Sequence, residues 1–295
     1  MKQKSKACKG GYPCGASCIS VTYVCRKQFS EGVSVSIEGL RRVYIDGKPQ
    51  VKSLEPEPEL ESPEKNISFE ELVRTSKKQL GEGQFAVAFE TAGGNVVKEG
   101  TFSDNEIEIM TEAGQLGVSP KVIKSEKGRR VSYVEDFDNF TGFRGKVLME
   151  KVKGYRAEDE FIEDEAESFL NNMKTLHKNK ISHNDLHDGN IITNGKQVSI
   201  LDYGFAKKGG VYAFAEALNL RNSEFIDNLP DDKLKRFKAN TRKANDLFAN
   251  DTSFTKADKS RFFYYDAFDD GEYRDSGIIN DPRWDKYVDI IYDGL

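Results

Sequence analysis

A chain of 295 residues has room for one sizeable two-lobed domain with an appendage. Its composition, 37% hydrophobic, 11% aromatic and 32% charged, is polar yet holds enough core-forming side chains to exclude disorder throughout. A net charge of -5 excludes an overall basic field of the kind that draws in nucleic acid, and no apolar run approaches the roughly 20 residues that cross a bilayer.

The charge is unevenly spread. Lys2, Lys4, Lys6, Lys9, Arg26, Lys27, Arg41 and Arg42 make the N-terminal part basic, whereas Asp266, Asp269, Asp270, Glu272, Asp275, Asp281, Asp285, Asp289 and Asp293 make the C-terminal part acidic. Such runs are ordinarily solvated surface; a basic N-terminal segment that binds another protein is the alternative. The opening MKQKSKACKGG lacks the apolar block of a secretory leader, so a cytoplasmic protein is expected.

Residues 1–50 form a basic segment containing all the cysteines: Cys8, Cys14, Cys18 and Cys25 stand among Gly10, Gly11, Pro13 and Gly15. Turn-rich chain of this kind buries little, so a staple is the natural way to order it. Structural zinc, two disulfides and free thiols all remain open, since the segment has no C-x-x-C pair. Residues 51–66 follow as a linker, where Pro56, Pro58 and Pro63 alternate with glutamates that repel one another.

Patterned apolar residues begin at Ile67, and residues 67–152 read as one half of a domain. Leu80 to Phe89 predicts strand, glycine turn and strand, with Gly81 and Gly83 letting backbone N–H groups approach phosphate oxygens. A short β run, Val96-Val97-Lys98, then projects a cation that can neutralise the α- and β-phosphates of ATP. The next stretch predicts a helix, and a glutamate on it would hold the lysine; Glu106 is the choice and Glu108 the runner-up. Val147 to Gly154 predicts a strand running into a connector, which could offer backbone groups to the edge of adenine.

Residues 153–295 read as the second half. Phe169, Leu170, Met173 and Leu176 recur at helical spacing and predict a buried stripe. Directly beyond it stands the loop His183-Asn184-Asp185-Leu186-His187-Asp188-Gly189-Asn190, and then the strand-and-turn Ile200-Leu201-Asp202-Tyr203-Gly204. Phosphoryl transfer to a hydroxyl needs a carboxylate aimed at the attacking oxygen, which Asp185 suits, and oxygen ligands for magnesium, which Asn190 and Asp202 suit. Further on, Phe214, Leu218, Phe225 and Leu229 predict helices, and the aromatic run Phe262 to Tyr265 predicts packing anchors.

LGEGQFAVAF, VVK, HNDLHDGN and LDYG, spanning roughly residues 78–206, together resemble the protein-kinase-like superfamily, and within it compact RIO-like and lipopolysaccharide-kinase-like members. The resemblance implies an α+β, bilobal fold with a small antiparallel β lobe and a mainly helical lobe. It implies ATP and magnesium as cofactors, Asp185 as catalytic base, Lys98 paired with Glu106, Asn190 and Asp202 on magnesium, Met149 as gatekeeper, and Glu150 to Val152 as hinge. His183 would be structural, packed behind the loop on backbone. Three departures bear on the acceptor: His187 stands where most Ser/Thr protein kinases carry a lysine, no Ala-Pro-Glu element follows LDYG, and no long activation segment is evident; in the glycine loop, Ala86 stands at the third glycine position. The expected activity is that of an atypical protein Ser/Thr kinase acting on a protein substrate. A small-molecule kinase of aminoglycoside or sugar type and a catalytically silent scaffold are the alternatives.

Overall fold

The computed structural model describes residues 62–295 except 84, 136–137, 158–160, 257, 260–261 and 263–278, and within residues 1–61 it describes five strands. The chain divides into two compact units between Glu61 and Ser62. In the first, β1 (Tyr12–Cys14) pairs antiparallel with β2 (Ser17–Ile19), and β3 (Val35–Ile37), β4 (Leu40–Ile45) and β5 (Lys48–Ser53) form an antiparallel sheet. Cys14 and Cys18 sit on the β1–β2 pair. Cys8 and Cys25 lie outside the described residues, and the choice between zinc, disulfides and free thiols lies there with them.

The second unit starts inside the stretch read as linker. Pro63–Asn66 forms a 3-10 turn whose Glu64 is buried and accepts hydrogen bonds from Thr91 Oγ1 (2.7 Å), the Gly93 N–H (2.8 Å) and Asn95 Nδ2 (2.7 Å). Periodicity could not reveal this anchor, because the carboxylate is satisfied by a turn some thirty residues further on.

Helix α1 (Phe69–Arg74) begins at Ser68, whose hydroxyl accepts the Glu71 N–H at 3.2 Å. Strands β6 (Lys78–Glu82), β7 (Ala86–Glu90), β8 (Val96–Ser103), β9 (Val122–Glu135) and β10 (Asp138–Met149) form an antiparallel sheet in the order β6-β7-β8-β10-β9. Alternation along β8 assigns its faces. Val97 packs with Phe69, Leu72 and Leu148 under α1, whereas Val96 and Phe102 belong to the larger core on the other side. Lys98, two positions from Val96, therefore shares the face on which α2 (Glu106–Gln115) packs through Ile107, Ile109, Met110 and Ala113.

The remainder is mainly helical: α3 (Glu163–Lys178), α4 (Gly210–Asn219), α5 (Asp231–Asn250) and α6 (Arg283–Ile291). The stripe Phe169, Leu170, Met173 and Leu176 is buried as its spacing predicts. Phe214, Phe248, Phe254, Phe262 and Trp284 form one aromatic cluster that joins α4, α5 and α6, with ring centroids 4.7 to 5.7 Å apart in its tilted, stacked and edge pairs. Phe262 thus serves as a packing anchor, while Phe263 to Tyr265 lie outside the described residues. Short strands lie between the helices: β11 (Tyr155–Arg156), β12 (Ile181–Ser182), β13 (Ile191–Thr193), β14 (Val198–Ile200) and β15 (Lys207–Lys208). The unit is a mixed α+β structure. Among the described residues no helix is long and apolar enough to cross a membrane.

Candidate active site

Two short pairings assemble the polar loops. β13 pairs with β14 so that Ile191 faces Ile200, and the Leu201 N–H donates to the Asn190 carbonyl at 2.8 Å, which brings Asn190 and Asp202 side by side at the open end of the hairpin. β12 pairs with β15 and ties the approach to Asp185 to the exit from Asp202. The His183 ring, fully buried, bridges the two segments: its Nε2 bonds the Leu201 carbonyl at 2.7 Å, and its Nδ1 accepts the Asp185 N–H at 3.3 Å. Burial depresses its pKa despite nearby carboxylates, which suits a neutral, structural ring.

Lys98 meets both halves of the unit. Its Nζ lies 3.0 Å from Glu106 Oε1 on α2 and 2.9 Å from Asp202 Oδ1 beyond β14. Burial alone would depress the lysine, but the two carboxylates outweigh it and hold its pKa above the ordinary value. Glu106 is buried, and that desolvation raises its carboxyl despite Lys98. In Asp202, half-exposed, burial works upward, yet the Lys98 ammonium prevails and the carboxyl stays below its ordinary value. Asp202 holds a left-handed backbone (φ 58°), a conformation more accessible to Asp than to most non-glycine residues. Glu108, the runner-up partner, turns outward instead and approaches Lys208, which also pairs with Glu112.

Asp185 is fixed by Asn190, whose Nδ2 donates to Asp185 Oδ2 (3.0 Å) and to the Asp185 carbonyl (2.9 Å). His187 stands beside it, half-exposed, with Nε2 3.8 Å from Asp185 Oδ2 and Nδ1 accepting the Gly189 N–H at 3.1 Å. That acceptor role leaves the ring proton of neutral His187 on Nε2, toward Asp185.

The glycine turn closes over β8. The Thr101 N–H donates to the Phe85 carbonyl at 2.8 Å, and a Cβ at Gly100 would fall 2.2 Å from that carbonyl oxygen, so glycine is obligatory there. Gly81 and Gly83 differ: a Cβ would meet nothing closer than the Arg156 guanidinium at 3.6 Å in one case and the Ala86 carbonyl at 3.8 Å in the other. The protein's own packing therefore does not require glycine at either position. In the connector, the Glu150 N–H is taken by the Lys121 carbonyl at 2.9 Å, and Lys151 pairs with Glu90 at 3.0 Å. The Glu150 carbonyl and Val152 N–H come after the last ladder residue, Met149, which is buried at the end of β10.

Comparison with protein-family models finds no match, and a search of curated proteins finds no significant relative.

One buried residue escaped the sequence reading. Glu216, on α4, accepts the His183 N–H (2.9 Å), the Asn184 N–H (2.7 Å) and a bond from His177 Nε2 (2.8 Å). Burial pushes its carboxyl upward, but these bonds win and hold it below the ordinary value. A signal was present: a lone acid amid Phe214, Ala215, Ala217 and Leu218 sits where an unpaired charge is rarely tolerated. Tyr203, in the LDYG turn, has a fully buried hydroxyl with no hydrogen-bond partner among the described residues.

Proposed function

We propose that this chain is an ATP- and magnesium-dependent phosphotransferase of protein-kinase-like, bilobal fold, transferring phosphate to a protein serine or threonine hydroxyl. The sheet with α2 serves as the small lobe and the α3 to α6 body as the large one. The simultaneous contact of Lys98 with Glu106 and Asp202 carries this reading. A cation held by a carboxylate on a packed helix, beside a second carboxylate from the other half of the unit, suits the grip on a polyphosphate. Gly81 and Gly83 add support, since their missing side chains make room for something other than protein.

Magnesium takes carboxylate, amide, phosphate and water oxygens. Asn190 directs its Nδ2 at Asp185, and Asp202 has Oδ1 on Lys98, so Oδ1 of the former and Oδ2 of the latter are the donors that fit. Bound there, the ion would neutralise charge on the transferring phosphate. Lys98 holds the α- and β-phosphates, with Glu106 preventing its side chain from swinging away. The β6–β7 turn lies over the phosphates, with the Gly83 N–H itself taken by the Ala86 carbonyl (2.9 Å), and the Glu150 carbonyl and Val152 N–H meet the adenine edge. Asp185 has Oδ2 held by Asn190, so Oδ1 is the oxygen that orients the acceptor hydroxyl and takes its proton.

A second reading, transfer to a small-molecule hydroxyl, draws on the same site. His187 replaces a lysine, and α4 begins at Gly210, only a short β15 after Gly204, which leaves little platform for a bound peptide. Purified protein incubated with γ-labelled ATP, magnesium and panels of proteins and metabolites separates the readings. Label on polypeptide that vanishes in Asp202→Ala supports the first; label on a metabolite alone selects the second. No transfer sensitive to Asp202 leaves a catalytically silent scaffold and defeats both.

A further inference from the structure

We infer that His177 and Tyr292 are positioning residues for Asp185, acting through the buried carboxylate of Glu216; the inference rests on the phosphotransfer reading. The observations form a chain. Glu216 accepts two consecutive backbone N–H groups, those of His183 and Asn184, immediately before Asp185. Its Oε2 is shared with His177 Nε2 at 2.8 Å, and His177 Nδ1 lies 2.7 Å from the Tyr292 hydroxyl. All three side chains are buried. A carboxylate only accepts, so Nε2 donates to it, and in the neutral ring Nδ1 accepts from Tyr292.

The local backbone explains why such an anchor is needed. Asn184 adopts a left-handed conformation (φ 61°), which asparagine tolerates better than most non-glycine residues and which contacts to its backbone and side chain hold in place. Glu216 Oε1 supplies one constraint; the Asn184 side chain supplies others, donating to Ser182 Oγ (2.9 Å) and the Phe205 carbonyl (3.2 Å). The reversal at Asn184 sets the direction in which Asp185 leaves the loop. Loss of either Glu216 bond removes one of the constraints on that reversal.

Tyr292 is itself clamped. It follows α6, and the residues after it are held by three donors from other helices: Asn240 Nδ2 to the Asp293 carbonyl (2.9 Å), Arg236 Nη1 to the Gly294 carbonyl (2.6 Å), and Lys174 Nζ to the Leu295 carbonyl (2.5 Å). The network therefore joins α3, α4 and the C-terminal turn to the loop, while Lys98, Glu106 and the glycine turn belong to other elements. This separation predicts a particular kinetic signature: an effect on kcat with KM for ATP unchanged.

The test uses full-length Glu216→Gln, His177→Gln and Tyr292→Phe proteins, assayed for ATP-dependent transfer and for amide hydrogen exchange over residues 181–190. Glu216→Gln should lower kcat by roughly a hundredfold, as misplacing a reacting group does. Tyr292→Phe, which deletes one oxygen and keeps the packed ring, should lower it roughly five-fold, the effect of one hydrogen bond. KM for ATP should stay within about two-fold in both, and the His183 and Asn184 amides should exchange faster than in the parent. Folded variants with parental kcat overturn the inference. Should Glu216→Gln or His177→Gln fail to fold, Tyr292→Phe decides. If the parent transfers no phosphate, the enzymatic reading fails separately and the exchange data judge the network: faster exchange at His183 and Asn184 upholds the positioning, unchanged exchange overturns it.

Discussion

Lys98 Nζ and Asp202 Oδ1 lie 2.9 Å apart although 104 positions separate them in the chain, and Glu106 Oε1 completes the contact at 3.0 Å. The Lys98–Glu106 pair is buried, so removing one partner strands the other. Lys98→Met should destabilise the protein by about 3–5 kcal/mol, because Glu106 is left without its counter-charge. The double variant Lys98→Met/Glu106→Gln should recover much of that stability. Both should lose transfer activity by roughly a hundred- to a thousand-fold. Denaturant unfolding alongside the kinetic assay separates the structural from the chemical role of the lysine.

The glycines should divide into two classes. Gly100→Ala drives a methyl to within 2.2 Å of the Phe85 carbonyl and 2.5 Å of Ala86 Cα, and should destabilise by about 1–3 kcal/mol through overpacking. Gly81→Ala and Gly83→Ala should leave the melting temperature nearly unchanged, since each methyl has room. They should raise KM for ATP instead. Thermal melts with and without nucleotide read both effects, and equal melting losses in all three would contradict the assignment of the turn to phosphate.

Tyr203→Phe should not destabilise the protein. The hydroxyl is buried without a partner, and an unsatisfied buried polar group costs about 1–3 kcal/mol. Burial also drives its pKa well up, and the Ser119 side chain opposes that from nearby without meeting hydrogen-bond geometry. The phenylalanine variant keeps the edge contact with His183, whose ring centroid is 4.9 Å away. A melting temperature equal to or above that of the parent is the expected outcome, and a clear drop would reveal a hidden partner.

Glu216 makes stability depend on acid. Its folded-state pKa lies below the ordinary 4.5, so the unfolded chain binds the proton first as pH falls. The stability it contributes is complete above 4.5 and is lost as pH falls through the lower, folded value. Glu216→Gln should therefore be less stable than the parent at neutral pH and should lose less on acidification. Urea midpoints at several pH values below 5 provide the comparison, and parallel pH curves for the two proteins would refute it.

Much of the architecture was legible from local pattern. The β run Val96-Val97-Lys98 put a lysine on a strand beneath the glycine turn, helical spacing predicted the buried stripe Phe169, Leu170, Met173 and Leu176, and chemistry singled out Lys98, Glu106, Asp185, Asn190 and Asp202 as candidates. These are short-range signals: a strand has period two, a helix 3.6, and magnesium and phosphate chemistry demand particular side chains. Glu64 was illegible because nothing near it in sequence explains it, and Glu216 showed only as a lone acid in an apolar stretch, its role unstated; each is satisfied by donors about thirty residues away. The sequence by itself determined the composition of the site and the elements that carry it. Only the tertiary structure decided that Glu108 turns away from Lys98 toward Lys208, that the unit begins at Ser62, and that a buried carboxylate on α4 holds the loop before Asp185. Those outcomes depend on which side chains meet after the chain has packed, and a buried charge settles only where the completed fold supplies its partners.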